Sequence, residues 1–128
     1  MQQAAHSASM LTADQCRLLT TLQGLQEEEN WQGVVSLEGE ALELATTVGG
    51  VHPAVAAVLH SALGDAFQGL GKYARAREMH EQHKTISEEL GDRSDLALAC
   101  YNLGICYYST GDYARAREMY EQRRAMSE

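Results

Sequence analysis

The sequence predicts an all-α protein, a solenoid of three antiparallel helix hairpins, and three observations carry that prediction. The stretch Gly71–Glu88 (GKYARAREMHEQHKTISE) returns forty residues later as Gly111–Glu128 (GDYARAREMYEQRRAMSE), with twelve of eighteen aligned positions identical. Self-similarity at a period of about 20–50 residues marks a stacked array. Apolar residues recur at spacings of three and four, the period of a helix with one buried face. The composition agrees: one proline, few β-branched runs, and abundant Ala, Leu, Glu, Gln and Arg, all good helix formers.

In chain order, residues 1–12 (MQQAAHSASMLT) lack the basic start and long apolar run of a secretory signal and are expected to be a disordered tail. A first helix is expected from about Ala13 to Glu29, capped by Thr12 or Asp14, with Leu18, Leu22 and Leu25 on one stripe. A second runs from about Trp31 to Val48, with Val34, Leu37, Ala41, Leu44 and Val48 on one face. Gly49-Gly50 ends it, since glycine takes the left-handed conformation at little cost. Pro53 suits the first turn of a third helix. That helix reaches Leu70, with Val55 or Ala56, Leu59 or His60, Leu63 and Phe67 inward, and Gly71 ends it. The fourth helix carries Tyr73, Ala76, His80, His83, Ile86 and Leu90, and closes at Gly91-Asp92. A fifth starts near Ser94, the expected cap, with Leu96, Cys100, Leu103 and Tyr107, and ends at Gly111-Asp112. The sixth opens at Tyr113 and is still in stride at Glu128.

Turns of a few residues force neighbouring helices to be antiparallel. The hairpins fall at about 13–48, 53–90 and 94–128. None can bury its apolar face alone, and stacking supplies the core.

Net charge is −8 and the pI about 5.0, which opposes nucleic-acid binding, since that needs a basic stripe, and opposes binding to an anionic membrane surface. No apolar run approaches the roughly 18 residues of a membrane span. The odd count of cysteines (Cys16, Cys100, Cys106) without metal-finger spacing points to a reducing compartment and free buried thiols.

The repeat has a recognisable form. Cys100-x-x-Leu103-Gly104-x-x-Tyr107 followed by Ala116-x-x-x-Tyr120 resembles the tetratricopeptide pattern of aromatic-x-x-Leu-Gly-x-x-Tyr and Ala-x-x-x-Phe. His60-x-x-Leu63-Gly64-x-x-Phe67 with Ala76-x-x-x-His80 is similar one unit earlier. The small residues are expected to let paired backbones approach, with the aromatic positions filling the seam between hairpins. Aligning Trp31 with Tyr73 puts Leu22 in the Gly64 slot and Val34 in the Ala76 slot, so looser packing is expected in the first unit. Steps of forty and forty-two residues resemble the repeats of spindle-orientation adaptors and of kinesin light chains, respectively. The resemblance implies a right-handed α-solenoid and a non-catalytic scaffold or adaptor that binds a protein partner.

In similar arrays the first helix of each hairpin lines the concave side, which the resemblance makes the partner-binding face. Helical geometry places Ser61, Asp65 and Gln68 on one stripe there, with Tyr101, Ile105 and Tyr108 as counterparts one unit on and Asn102 beside Tyr101. The resemblance implies that Asn102 bonds the backbone of an extended peptide, a task its amide suits because it both donates and accepts. Tyr101 and Tyr108 offer rigid contact area with a polar tip. Between Val51 and Leu70, and between Ser94 and Thr110, there is no Lys or Arg, which argues against a clamp for acidic C-termini. Arg75, Arg77, Arg115 and Arg117 with Glu78, Glu81, Glu118 and Glu121 read as a solvated outer face. His80 and His83, with His60 across the hairpin, read as structural residues and not metal ligands. No nucleophile with a base, phosphate loop or apolar carboxylate pair is present. The expectation is therefore a cytoplasmic, cofactor-free module, not an enzyme, that captures a peptide or partner helix. The alternatives are self-association through the uncapped last helix, or a piece of a longer array.

Overall fold

The computed structural model describes residues 11–46 and 52–127. Among the described residues there are seven helices and no strand: α1 (Ala13–Glu27), α2 (Trp31–Ser36), α3 (Glu38–Thr46), α4 (Pro53–Gly69), α5 (Tyr73–Leu90), α6 (Arg93–Ser109) and α7 (Tyr113–Ser127). They form three successive hairpins, α1 with α2–α3, α4 with α5, and α6 with α7. Of the tail expected at residues 1–12, residues 1–10 lie outside the described residues, as do Val48 and the Gly49-Gly50 stop.

Local chemistry explains most boundaries. Thr12 caps α1 in a capping box with Gln15, which satisfies two otherwise unpaired donors. Pro53 occupies the first turn of α4, where the missing N–H costs nothing, and the His52 ring accepts from the Ala54 N–H. Asp92, and not the expected Ser94, caps α6 by accepting from the Asp95 N–H at 3.1 Å. The hairpin turns at Gly71 and Gly111 have φ of 76° and 88°. Glu29 stands at the corresponding place in the first hairpin and adopts φ 55°, so the turn geometry persists without its glycine.

The single helix expected from Trp31 to Val48 is divided at Leu37, whose N–H turns back to the carbonyls of Val34 and Val35. Gly33 and Gly39 flank the break, and each weakens a helix interior by about 1 kcal/mol relative to alanine. The first unit packs more loosely, as expected: Leu22 is the one buried residue of α1, although Leu22 and Val34, in the small-residue slots, are themselves closed to solvent. Its close approach has moved to Gly33, where a Cβ would stand 2.9 Å from Leu25. At the next seam the Trp31 indole sits directly over Gly69.

The main core surrounds α4. Leu59, Leu63, Ala66 and Phe67 pack against Leu22, Val34, Ala41 and Leu44 on one side and Ala76, Met79 and Cys106 on the other. A second cluster joins Leu103, Tyr107 and Ala116. On α5 the buried set is Ala76, Met79, His80, His83 and Ser87, while Leu90 is exposed; Met79 and Ser87 replace the expected Ile86 and Leu90. The aromatic slots also differ from expectation. His80 covers Gly64 and Tyr120 covers Gly104, each within its own hairpin, and in both a glycine Cβ would lie 2.5 Å from the ring.

Polar contacts tie the hairpins together. Arg75 pairs with Glu78 at 2.7 Å and with Glu38 of α3, and its guanidinium lies 4.9 Å from the Phe67 ring centre. The Tyr107 hydroxyl donates to Glu81 at 2.9 Å while Arg77 lies over the Tyr107 ring. The repeated charged face is thus not merely solvated: Arg75 and Glu81 bridge hairpins. Arg115 pairs with Asp112 at 3.6 Å instead of repeating the Arg75–Glu78 pair with Glu118.

Candidate functional site: the face of the first helices

Helices α1 and α4, the first helices of two successive hairpins, bound a cavity of about 480 Å³. Leu19, Leu22, Gln23 and Gln26 form one wall; Ala54, Val55, Val58, Leu59 and Ala62 form the other. No charged side chain lines it. Val58 is 57% exposed, an aliphatic residue held toward solvent. At one end Gln26 Nε2 donates to Asp65 Oδ2 at 3.3 Å. Because α2, α3 and α5 contribute nothing to the lining, the cavity opens on the face shared by the first helices.

None of the seven expected residues lines this cavity. Ser61 and Ile105 are half-buried. Asp65 is half-buried and held by Gln26; burial raises its carboxyl pKa above the ordinary value, with the Gln26 hydrogen bond opposing. Gln68 is used inside the array, its Oε1 lying 3.1 Å from His80 Nε2 and 3.9 Å from Cys106 Sγ. Asn102 is buried, and its amide makes no hydrogen bond to another described residue. Tyr101 is partly exposed beneath Arg123, whose guanidinium is 4.7 Å from the ring centre. Tyr108 is 61% exposed and meets Tyr113 edge-on at 5.1 Å.

The structure therefore divides the seven residues. Asp65 and Gln68 serve the packing of α1, α5 and α6, while Tyr101 and Tyr108 stand on the α6–α7 side. Sequence reasoning missed the α1 wall, although the signal was present. Moving Ser61, Asp65 and Gln68 back by forty-two positions gives Leu19, Gln23 and Gln26. Val58 and its counterpart Leu98, forty residues on, were also missed; both are exposed aliphatics, a pattern that periodicity assigns to no core.

The histidines form a buried group behind this face. His80 and His83 are sealed from solvent and His60 nearly so, and the Nδ1 atom of each lacks a hydrogen-bond partner. His83 Nε2 lies 3.3 Å from Asp95. Burial, reinforced by His83, pushes the His80 pKa down to about 4 and lowers that of His60. Among the described residues no three His, Cys, Asp or Glu side chains come together as a metal site. Cys100 and Cys106 are buried free thiols, and burial raises the Cys106 pKa to about 11, which leaves it unreactive. Cys16, expected to be buried, is exposed, because no described helix packs on that side of α1. No described helix is long and apolar enough to cross a membrane.

Three stacked helix hairpins with an open face on their first helices define a helical-repeat interaction module. Residues 55–128 match the tetratricopeptide repeat family model, and the chain belongs to that family, whose repeats generally mediate protein–protein interaction without catalysis. The fold is similar to the TPR domain of Arabidopsis FLU, with a TM-score of 0.75 at 24% identity over 86% of this chain and 91% of that one. No curated protein sequence matches the chain at a significant level.

Proposed function

We propose that the protein is a non-catalytic adaptor or scaffold that captures a segment of a partner protein on the face of α1, α4 and α6. The observation that carries this is the apolar α1–α4 cavity with Val58 exposed at its wall. Binding grooves are concave, mainly apolar, and carry few polar groups to orient the ligand. Here those groups are Gln23 and Gln26 at the cavity, with Asn102 and Tyr101 one hairpin on. The free thiols Cys100 and Cys106 suit a reducing, cytoplasmic setting.

Photo-cross-linking in the native cell extract tests this. A photoreactive side chain at Val58 should capture a discrete partner that the same group at Glu78, exposed on α5, does not. Equal capture from both positions rejects the proposal.

One observation favours self-association as a second reading. The face of α5 that α6 covers is exposed on α7, where Tyr120 is 37% exposed against 0% for His80. Tyr108, Tyr113, Arg117 and Arg124 surround a second cavity there. Multi-angle light scattering across a concentration series would show a rising mass if copies meet through this face, and a constant monomer mass removes the idea.

A further inference from the structure

We propose that the α1–α4 groove takes an amphipathic helix with aliphatic side chains on one face and Lys or Arg on its flanks. This rests on capture at the same face and adds what kind of segment is captured. Hydrogen bonding favours a helix over an extended segment. An extended peptide buried between α1 and α4 needs partners for its N–H and C=O groups. The walls offer only two side-chain amides, Gln23 and Gln26, and Gln26 already donates to Asp65. A helix satisfies its own backbone and needs only a shaped apolar surface.

The shape of α4 suits a helix as well. Ala54, Val58 and Ala62 fall at successive four-residue steps on α4, so a small residue sits one turn to either side of Val58. Side chains on such a row form a ridge that packs between the ridges of another helix. At 1.5 Å per residue the two alanine hollows are about 12 Å apart, the distance between aliphatic anchors seven or eight residues apart on a partner helix.

Charge selects the flanks. Along the groove walls, residues 18–27 of α1 and the whole of α4, there is no Lys or Arg, and the charged residues are two carboxylates, Glu27 and Asp65. Glu27, Glu28 and Glu29 follow directly after the α1 wall, and Asp65 stands at the end of the groove. Acidic surroundings about an uncharged floor attract cationic flanks and repel acidic ones.

The test uses synthetic helical peptides of about 18 residues, long enough to hold helix on binding, titrated by calorimetry into the whole chain. One carries a leucine face and lysine flanks, the second has glutamate for lysine, and the third is the lysine peptide interrupted by a central proline. The lysine peptide should bind one-to-one, with the other two weaker by at least about tenfold, or 1.4 kcal/mol. Val58→Glu adds negative charge yet spoils the groove, and it should also weaken the lysine peptide by about tenfold or more with unchanged helical circular dichroism. Val58 is exposed, so the variant should fold. Equal or tighter binding by Val58→Glu would reveal charge adsorption and overturn the proposal, as would equal binding of the proline peptide. If none of the peptides binds while the cross-linker at Val58 captures a partner, the helix assignment fails and capture on this face stands.

Discussion

His80 packs against Gly64 so closely that a Cβ on residue 64 would stand 2.5 Å from the imidazole. The ring is fully buried and hydrogen-bonded to Gln68 at 3.1 Å, so it cannot simply swing away. Gly64→Ala should therefore destabilise the protein by about 1–3 kcal/mol, the usual penalty of overpacking, even though alanine is the better helix former. The two residues should be coupled. In chemical denaturation the double variant Gly64→Ala/His80→Ala should lose less than the sum of the single losses, and strict additivity would contradict the contact.

The same ring makes stability depend on pH. The folded pKa of His80 is about 4 against 6.5 for the free group, and that of His60 is also lowered. Between these values the unfolded chain binds more protons than the folded one, so stability is full above about pH 6.5 and falls as the pH drops toward 4. One histidine contributes at most about 1.4 kcal/mol per pH unit in that window. Asp65, raised by burial, works in the opposite direction and offsets part of the loss. Thermal melts at pH 7.5 and 5 should show the fall, and His80→Phe should reduce it. An identical pH dependence in the variant would assign the effect to other groups.

Glu29 holds a left-handed backbone with φ 55° where the other two hairpins have glycine. A side chain in that region costs roughly 1–2 kcal/mol. Glu29→Gly should raise stability by roughly 0.5–1 kcal/mol after allowing for the freer unfolded chain. An unchanged or lower denaturation midpoint would show that the Glu29 side chain contributes more than the strain removes.

The Tyr107 hydroxyl donates to Glu81 at 2.9 Å between α6 and α5. Tyr107→Phe keeps the ring beneath Arg77 and Arg115 and deletes this bond together with the hydroxyl's contact to Arg115. A loss of about 0.5–1.5 kcal/mol is expected. Hydrogen exchange should quicken at the α5–α6 seam more than within α1, and uniform acceleration would count against a local bridge.

The sequence by itself determined the repeat, the helices and the pairing of helices into hairpins. These depend on local patterns: spacings of three and four, glycine or a capping residue at helix ends, and the near-copy of Gly71–Glu88. Within α1 it also contained the wall residues Leu19, Gln23 and Gln26 by simple translation from Ser61, Asp65 and Gln68. What only the tertiary structure decided was which side chains are free to meet a partner. Gln68 and Asp65 occupy a face position by periodicity, yet His80 and Gln26 engage them from helices twelve and thirty-nine residues away. Val58 reads as core by its chemistry and stands in solvent because α1 and α4 leave a groove between them. Helical period tells which residues share a side of a helix. How closely the next helix approaches that side depends on long-range packing, at Gly64, Gly69 and Gly33, and that packing separates the groove from the seam.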